Sequence, residues 1–142
     1  MSGHVEEKYL SNRELSNRRV LVVEDEMMIA MLIEDMLEEF GCKLVGPATN
    51  VPRALELIGK ENVDIAVLDL NLDGQDTYAI ADALQQKNVP FVFATGYGSA
   101  GLRKGYEKWP ILQKPFQAKD LETALEEALS GSNVVADDHG VN

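Results

Sequence analysis

Val63-Asp64-Ile65-Ala66-Val67-Leu68-Asp69 is the stretch that decides the fold. Four apolar residues follow one another, two of them β-branched, and an acid ends the run. The run is too short for a helix and lacks the alternation of a strand with one wet face. It reads as a strand buried on both faces, the kind found in parallel sheets covered by helices.

The flanks repeat the theme. Upstream, Val20-Leu21-Val22-Val23 is a second buried run, and it too ends in acids, Glu24-Asp25-Glu26. Met28, Ile29, Leu32, Ile33, Met36, Leu37 and Phe40 then recur at helical spacing until Gly41 stops the helix. Residues 43–48 form a weaker strand, and Asn50 caps a helix carrying Ala54, Leu55 and Ile58. Downstream, residues 76–86 are amphipathic through Tyr78, Ile80, Ala81 and Leu84, and Pro90 to Thr95 is a further buried strand. Ile111 to Gln113 is a short strand, and residues 118–129 are a last helix through Leu121, Leu125 and Leu129. Between these, Gly96, Gly98, Gly101 and Gly105 crowd the fourth crossover. An internal glycine costs a helix roughly 0.8–1 kcal/mol relative to alanine. The helix over 99–106 is therefore expected to be short or mobile.

Five strand-then-helix units imply an α/β fold with helices on both faces of a parallel sheet. The right-handed crossover rule points to a doubly wound, five-stranded, flavodoxin-like sheet of order 2-1-3-4-5. Residues 1–18 read as an N-terminal arm, 19–130 as the folded domain, and 131–142 as a disordered tail.

Bulk properties narrow the function. The chain has 142 residues, 45% of them hydrophobic, enough for one domain with its own core. With 24 acidic against 13 basic residues its net charge is −11, which disfavours direct nucleic-acid binding and suits a cation or a basic partner. Cys42 is the only cysteine, so no intrachain disulfide forms, as fits a reducing cytoplasm. No apolar run is long enough to span a membrane, and the polar start is not a signal peptide.

Ligands of open parallel sheets bind beyond the carboxyl ends of the strands, where the winding reverses. That rule gathers Glu24 and Asp25 from strand one, Asp69 from strand three, Thr95 from strand four and Lys114 from strand five. Three carboxylates repel one another, and a hard divalent cation such as Mg²⁺ relieves this. Lys114 offers a compact positive charge to a phosphoryl oxygen, Thr95 a hydroxyl, and Gly96 leaves the approach open. Phosphoryl transfer needs positioning and charge stabilisation, and a carboxylate can be its nucleophile. Asp69 is the central candidate.

The motifs Val-Val-Glu24-Asp25-Glu26, Val67-Leu68-Asp69-Leu70-Asn71-Leu72, Ala94-Thr95-Gly96 and Lys114-Pro115-Phe116, in this order at strand ends, resemble the receiver domain of two-component response regulators over about residues 19–130. The resemblance implies that Asp69 accepts a phosphoryl group from a sensor histidine kinase or histidine phosphotransferase. It implies a Mg²⁺ ion held by Asp25, Asp69 and the Asn71 carbonyl, with Glu24 acting through water. Thr95 and Lys114 would complete the phosphoryl site. It further implies a cytoplasmic monomer or weak dimer with no catalysis beyond its own phosphorylation and dephosphorylation, passing its state by protein contact or draining phosphate from a kinase. Phe93-Ala94-Thr95-Gly96-Tyr97 resembles the alphaproteobacterial subgroup nicknamed FAT GUY for its Phe-Ala-Thr-Gly motif.

Three departures stand out. Asp73 occupies the place of a usual proline, which leaves that loop less rigid and more acidic. Ile111 occupies the place of the signalling aromatic, for which Tyr97, Tyr106 or Trp109 could substitute. The third is the glycine-rich fourth crossover.

Other readings compete. Glu24 and Asp25 could merely cap a helix, and Lys114 could be solvated surface. The methionines Met27, Met28, Met31 and Met36 read as helix packing. Gly96-Tyr97-Gly98-Ser99-Ala100-Gly101 fits a dinucleotide fingerprint, but the next strand ends in Lys114 where that site needs an acid. A Mg²⁺-dependent aspartyl-phosphate phosphatase or phosphotransferase would want a second Asp at the place of Asn71. A receiver-like module that binds without phosphorylation would not need the intact set of acids, Thr95 and Lys114.

Overall fold

The computed structural model describes residues 14–97 and 102–141, with 132–141 as backbone only. Its elements are β1 (Arg19–Val23), α1 (Met27–Glu39), β2 (Lys43–Ala48), α2 (Val51–Lys60), β3 (Ile65–Asp69), β4 (Asn71–Leu72), β5 (Gln75–Asp76), α3 (Tyr78–Gln86), β6 (Phe91–Thr95), β7 (Ile111–Gln113) and α4 (Ala118–Val141). The main sheet is parallel with order β2-β1-β3-β6-β7. Leaving aside the two-residue β4 and β5, this is the expected 2-1-3-4-5.

The central strands explain the winding. Every residue of β3 and β6 is buried. Successive side chains alternate between faces, so Leu21, Val23, Ala66, Leu68, Phe91 and Phe93 enter one core with Ala54, Leu57 and Ile58 of α2 and Ile80, Ala81 and Leu84 of α3. Val20, Val22, Ile65, Val67, Val92 and Ala94 enter the other core with Ile33 and Leu37 of α1 and Leu121 and Leu125 of α4. Helix ends follow local chemistry. Gly41 takes φ +82 just past α1, and Asn50 accepts the Arg53 N–H at 2.8 Å to cap α2.

Several expectations are corrected. The fourth crossover carries no helix among its described residues, 102–110, which run as turns. The start of the expected helix, residues 99–101, lies outside the described residues. The final helix does not end near 129 but continues to Val141. One glycine, Gly131, costs too little to stop it, and no proline follows. Leu15 is fully buried among Val20, Leu37 and Phe40, so the folded unit includes the end of the expected arm. On α1 only Ala30, Ile33 and Leu37 are buried. Met27, Met28, Met31 and Leu32 are 56–80% exposed; a helix lying on a sheet covers a narrower stripe than this apolar face. Finally, the Asp73 loop closes as a β4–β5 hairpin pairing Asn71 with Asp76 and Leu72 with Gln75. Asp73 and Gly74 both take positive φ, +50 and +90, as an Asp-Gly type I′ turn requires.

Candidate phosphoacceptor site

The sheet delivers the expected residues to one rim. Asp69 ends β3, Thr95 ends β6, Lys114 follows β7, and Glu24 and Asp25 follow β1. Asp25, Asp69, Asn71, Asp76, Thr95 and Lys114 line a cavity of about 660 Å³. Glu24 stands behind it, 1% exposed.

Lys114 draws the acids together. Its Nζ lies 2.8 Å from Glu24 Oε1, 3.1 Å from Asp69 Oδ2 and 3.9 Å from Glu26. Its backbone N–H donates to the Thr95 carbonyl at 2.8 Å, fastening it beside β6; the Lys114–Pro115 peptide is cis. Burial alone would lower the ammonium pKa, but Glu24 and Asp69 outweigh it and hold Lys114 above its ordinary value. Lys114 is therefore a permanent cation at neutral pH. Burial pushes the Glu24 carboxyl from 4.5 up to about 6, against the pull of Lys114 and the Glu26 N–H.

The phosphoacceptor candidate is braced from two sides. Asp69 Oδ1 accepts the Asn71 N–H at 3.1 Å, and its backbone carbonyl accepts the Thr77 hydroxyl at 2.7 Å. Asn71 Oδ1 accepts the Gly74 N–H at 2.8 Å, which ties the turn of the hairpin to the site. Thr95 Oγ1 accepts the Tyr97 N–H at 3.1 Å. The plain capping reading of the first acids is only partly right. Glu24 Oε2 accepts the Glu26 N–H at 3.0 Å, but the N-cap residue of α1, Glu26, makes no side-chain capping bond.

The donor set fits a hard divalent cation. Carboxylate oxygens of Glu24, Asp25 and Asp69 lie within 4.8 Å of one another. Glu24 Oε1 is buried and, though close to Lys114, receives no well-aligned hydrogen bond. Oxygen ligands crowded in this way, three carboxylates against one lysine, are what Mg²⁺ relieves.

Sequence reasoning missed Thr77 and the hairpin, and took Asp76 only as a loop or capping acid, a role its Oδ1 fills by accepting the Tyr78 N–H at 3.4 Å. The Asp73-Gly74 dipeptide after Leu72 was the available signal for the turn. No local pattern announces the Thr77 hydroxyl bond, because its acceptor lies eight residues away.

Comparison with known proteins agrees with this geometry. The transcriptional regulatory protein PdtaR of Mycobacterium tuberculosis is 32% identical over 117 residues, covering 80% of this chain and 57% of the relative. The chain thus spans about half the length of the curated relatives it matches. The solution structure of SdrG from Sphingomonas melonis is 36% identical with TM-score 0.72, covering 81% of this chain and 98% of that one. The receiver domain of the PhyR response regulator from Erythrobacter litoralis is 30% identical with TM-score 0.71, covering 82% and 93%. Residues 20–126 match the family model described as the response regulator receiver domain. The sheet order, the acid and lysine rim and this match agree, and the chain belongs to the response regulator receiver domain family.

Proposed function

We propose that this chain works in phosphorelay signalling by taking a phosphoryl group onto Asp69 from the phosphohistidine of a sensor kinase or histidine phosphotransferase. An Asp69 carboxylate oxygen forms the new P–O bond as the P–N bond to histidine breaks. The imidazole leaves and takes up a proton. One observation carries this reading: Lys114 Nζ reaches both Asp69 and Glu24, at 3.1 and 2.8 Å, on the rim of a cavity lined by acids.

Each residue has a role. Asp69 is the nucleophile. Lys114 is positioned to release one acid and receive a phosphoryl oxygen, and the Thr95 hydroxyl supplies a second contact. Asp25, Asp69 and the Asn71 carbonyl would hold Mg²⁺, with Glu24 behind them acting through water. When bound, the ion supplies positive charge against the phosphoryl oxygens. The FAT GUY assignment rests on Phe93-Ala94-Thr95-Gly96-Tyr97 and on likeness to SdrG and PhyR.

The exposed Met27, Met28, Met31 and Leu32 face lies on α1, beside the acids that precede it. An apolar surface of this kind beside a charged site suits a partner helix that brings the phosphohistidine. We place the reaction in the cytoplasm; no described helix is long and apolar enough to cross a membrane. The small-molecule phosphatase reading is disfavoured, because Asn71 stands where a second acid would act and its side chain serves the hairpin turn instead.

Incubation with Mg²⁺ and acetyl phosphate, followed by intact mass, tests the proposal. The wild type is expected to gain one base-labile phosphoryl group and Asp69→Asn none. No adduct from acetyl phosphate or from a kinase would favour a module that binds without phosphorylation. Rapid turnover of assorted phosphoesters would favour the phosphatase.

A further inference from the structure

Three consecutive residues, Asp76, Thr77 and Tyr78, stand between Asp69 and the fourth crossover. Thr77 is 1% exposed and gives its hydroxyl to the Asp69 carbonyl at 2.7 Å. Asp76 pairs with Asn71 across the hairpin, and its Oδ2 receives Arg103 Nη2 at 3.2 Å. The Tyr78 hydroxyl accepts the Arg103 backbone N–H at 2.8 Å. The Tyr78 ring lies 4.4 Å below the Arg103 guanidinium and 4.8 Å from the Tyr106 ring. Arg103 is thus held at once by backbone, charge and ring face. Further along the crossover, Tyr106 donates to Asp82 at 2.6 Å and Trp109 Nε1 reaches Gln85 Oε1 at 3.4 Å. The crossover has no helix over its described residues, yet it is fastened to β5 and α3 at three points.

We propose that Asp76-Thr77-Tyr78 and Arg103 form a latch that couples the charge on Asp69 to the position of the fourth crossover. The latch rests on the reading of Asp69 as phosphoacceptor, and it does the work that Ile111 has no aromatic ring to do. The physics is differential. A ligand shifts an equilibrium only by interacting differently with its two states. A phosphoryl group in a cavity lined by Asp76 adds negative charge there; it repels that carboxylate and attracts Arg103. Seated on Asp76 and Tyr78, which line the cavity, Arg103 lies beside it and feels the added charge; with the crossover released it lies farther off, where water screens it more fully. An exposed ion pair is weak by itself, which keeps the two states close enough in population for the phosphoryl group to choose between them.

Hydrogen exchange of the whole protein, read by mass spectrometry over residues 102–110 before and after loading with acetyl phosphate and Mg²⁺, tests this. Trp109, the only tryptophan, gives a parallel fluorescence reading. Intact mass fixes the loaded fraction of every variant, and responses are compared per loaded molecule. In the wild type, loading is expected to change exchange over 102–110 by about twofold to fivefold, the range that an exposed ion pair implies. Arg103→Ala should load and show no such change, and Arg103→Lys should recover part of it. Tyr78→Phe, which removes only the hydroxyl, should reduce the response. A loaded wild type with an unchanged crossover, or an Arg103→Ala response equal to wild type, overturns the latch while leaving the phosphoacceptor standing. A wild type that never loads overturns both.

Discussion

Glu24 stands 1% exposed with one oxygen lacking a well-aligned partner, and its titration becomes a property of the molecule. Its carboxyl lies at about 6 in the folded chain against an ordinary 4.5. Between those values the folded state holds more protons than the unfolded state, so stability falls as pH rises through that window. At 1.36 kcal/mol per pKa unit the loss is about 2 kcal/mol and is complete above pH 6. Urea melts without metal, at pH 4.5 and 7, should show this slope in the wild type and not in Glu24→Gln. A proton on Glu24 removes negative charge from beside the candidate cation site, so Mg²⁺ affinity measured by calorimetry should drop as pH falls below 6. Lys114→Ala leaves Glu24 buried without its counter-charge. Breaking a buried pair in this way costs about 3 kcal/mol, and Mg²⁺ should restore much of it in the same melts. Phosphorylation of that variant should persist while the conformational response weakens. The strand-end acids and Thr95 were legible in the sequence because each closes a run of buried residues, and Lys114 because it follows the last short strand. Thr77 and the Asp76–Arg103 pair were not, because their partners are tertiary.

At the scale of elements, β3 and β6 could be read directly, since strands buried on both faces leave continuous apolar runs. The helix α1 could be located, but its buried face could not. Its apolar residues cover more of the surface than the sheet takes, and Met28 is left 80% exposed. Met28→Asp should leave labelling by acetyl phosphate intact and slow transfer from a phosphohistidine donor by about tenfold, as loss of an apolar contact worth about 1.4 kcal/mol would. Equal slowing with both donors would count against docking there. The loop after Asp69 looked slack without its proline, yet the left-handed pair Asp73 and Gly74 closes it into a hairpin. Gly74→Val places a β-branched residue at φ +90 and should cost about 1–2 kcal/mol in denaturant melts. Because Asn71 spans the same hairpin, Mg²⁺ affinity should fall with it. A variant that melts like the wild type would show the turn to be unstrained.

For the whole molecule, alternation of buried strands and amphipathic stretches was enough to give the doubly wound order, since few topologies obey the crossover rule. The limits of the folded unit were harder to see. Leu15 lies in a polar stretch that gives no periodic signal, yet it is fully buried with Leu37 and Phe40. Leu15→Ala should lower unfolding free energy by about 2–5 kcal/mol, and a chain beginning at residue 19 should lose at least as much. A truncated chain as stable as the full one would return the boundary to residue 19. The net charge of −11 adds self-repulsion that opposes the compact state.

The distance along the chain between Asp69 and Lys114 has its own consequence. The two are 45 residues apart. During synthesis from the N-terminus, at roughly 5–20 residues per second, Asp69 emerges about 2–9 s before the lysine that neutralises it, and Glu24 and Asp25 emerge earlier still. β1, β2 and β3 can pair in that interval with Glu24, Asp25 and Asp69 already converging. Through those seconds a proton or a cation from solution must balance them, so crowding of these acids bears on the folding of the chain before it bears on the finished site.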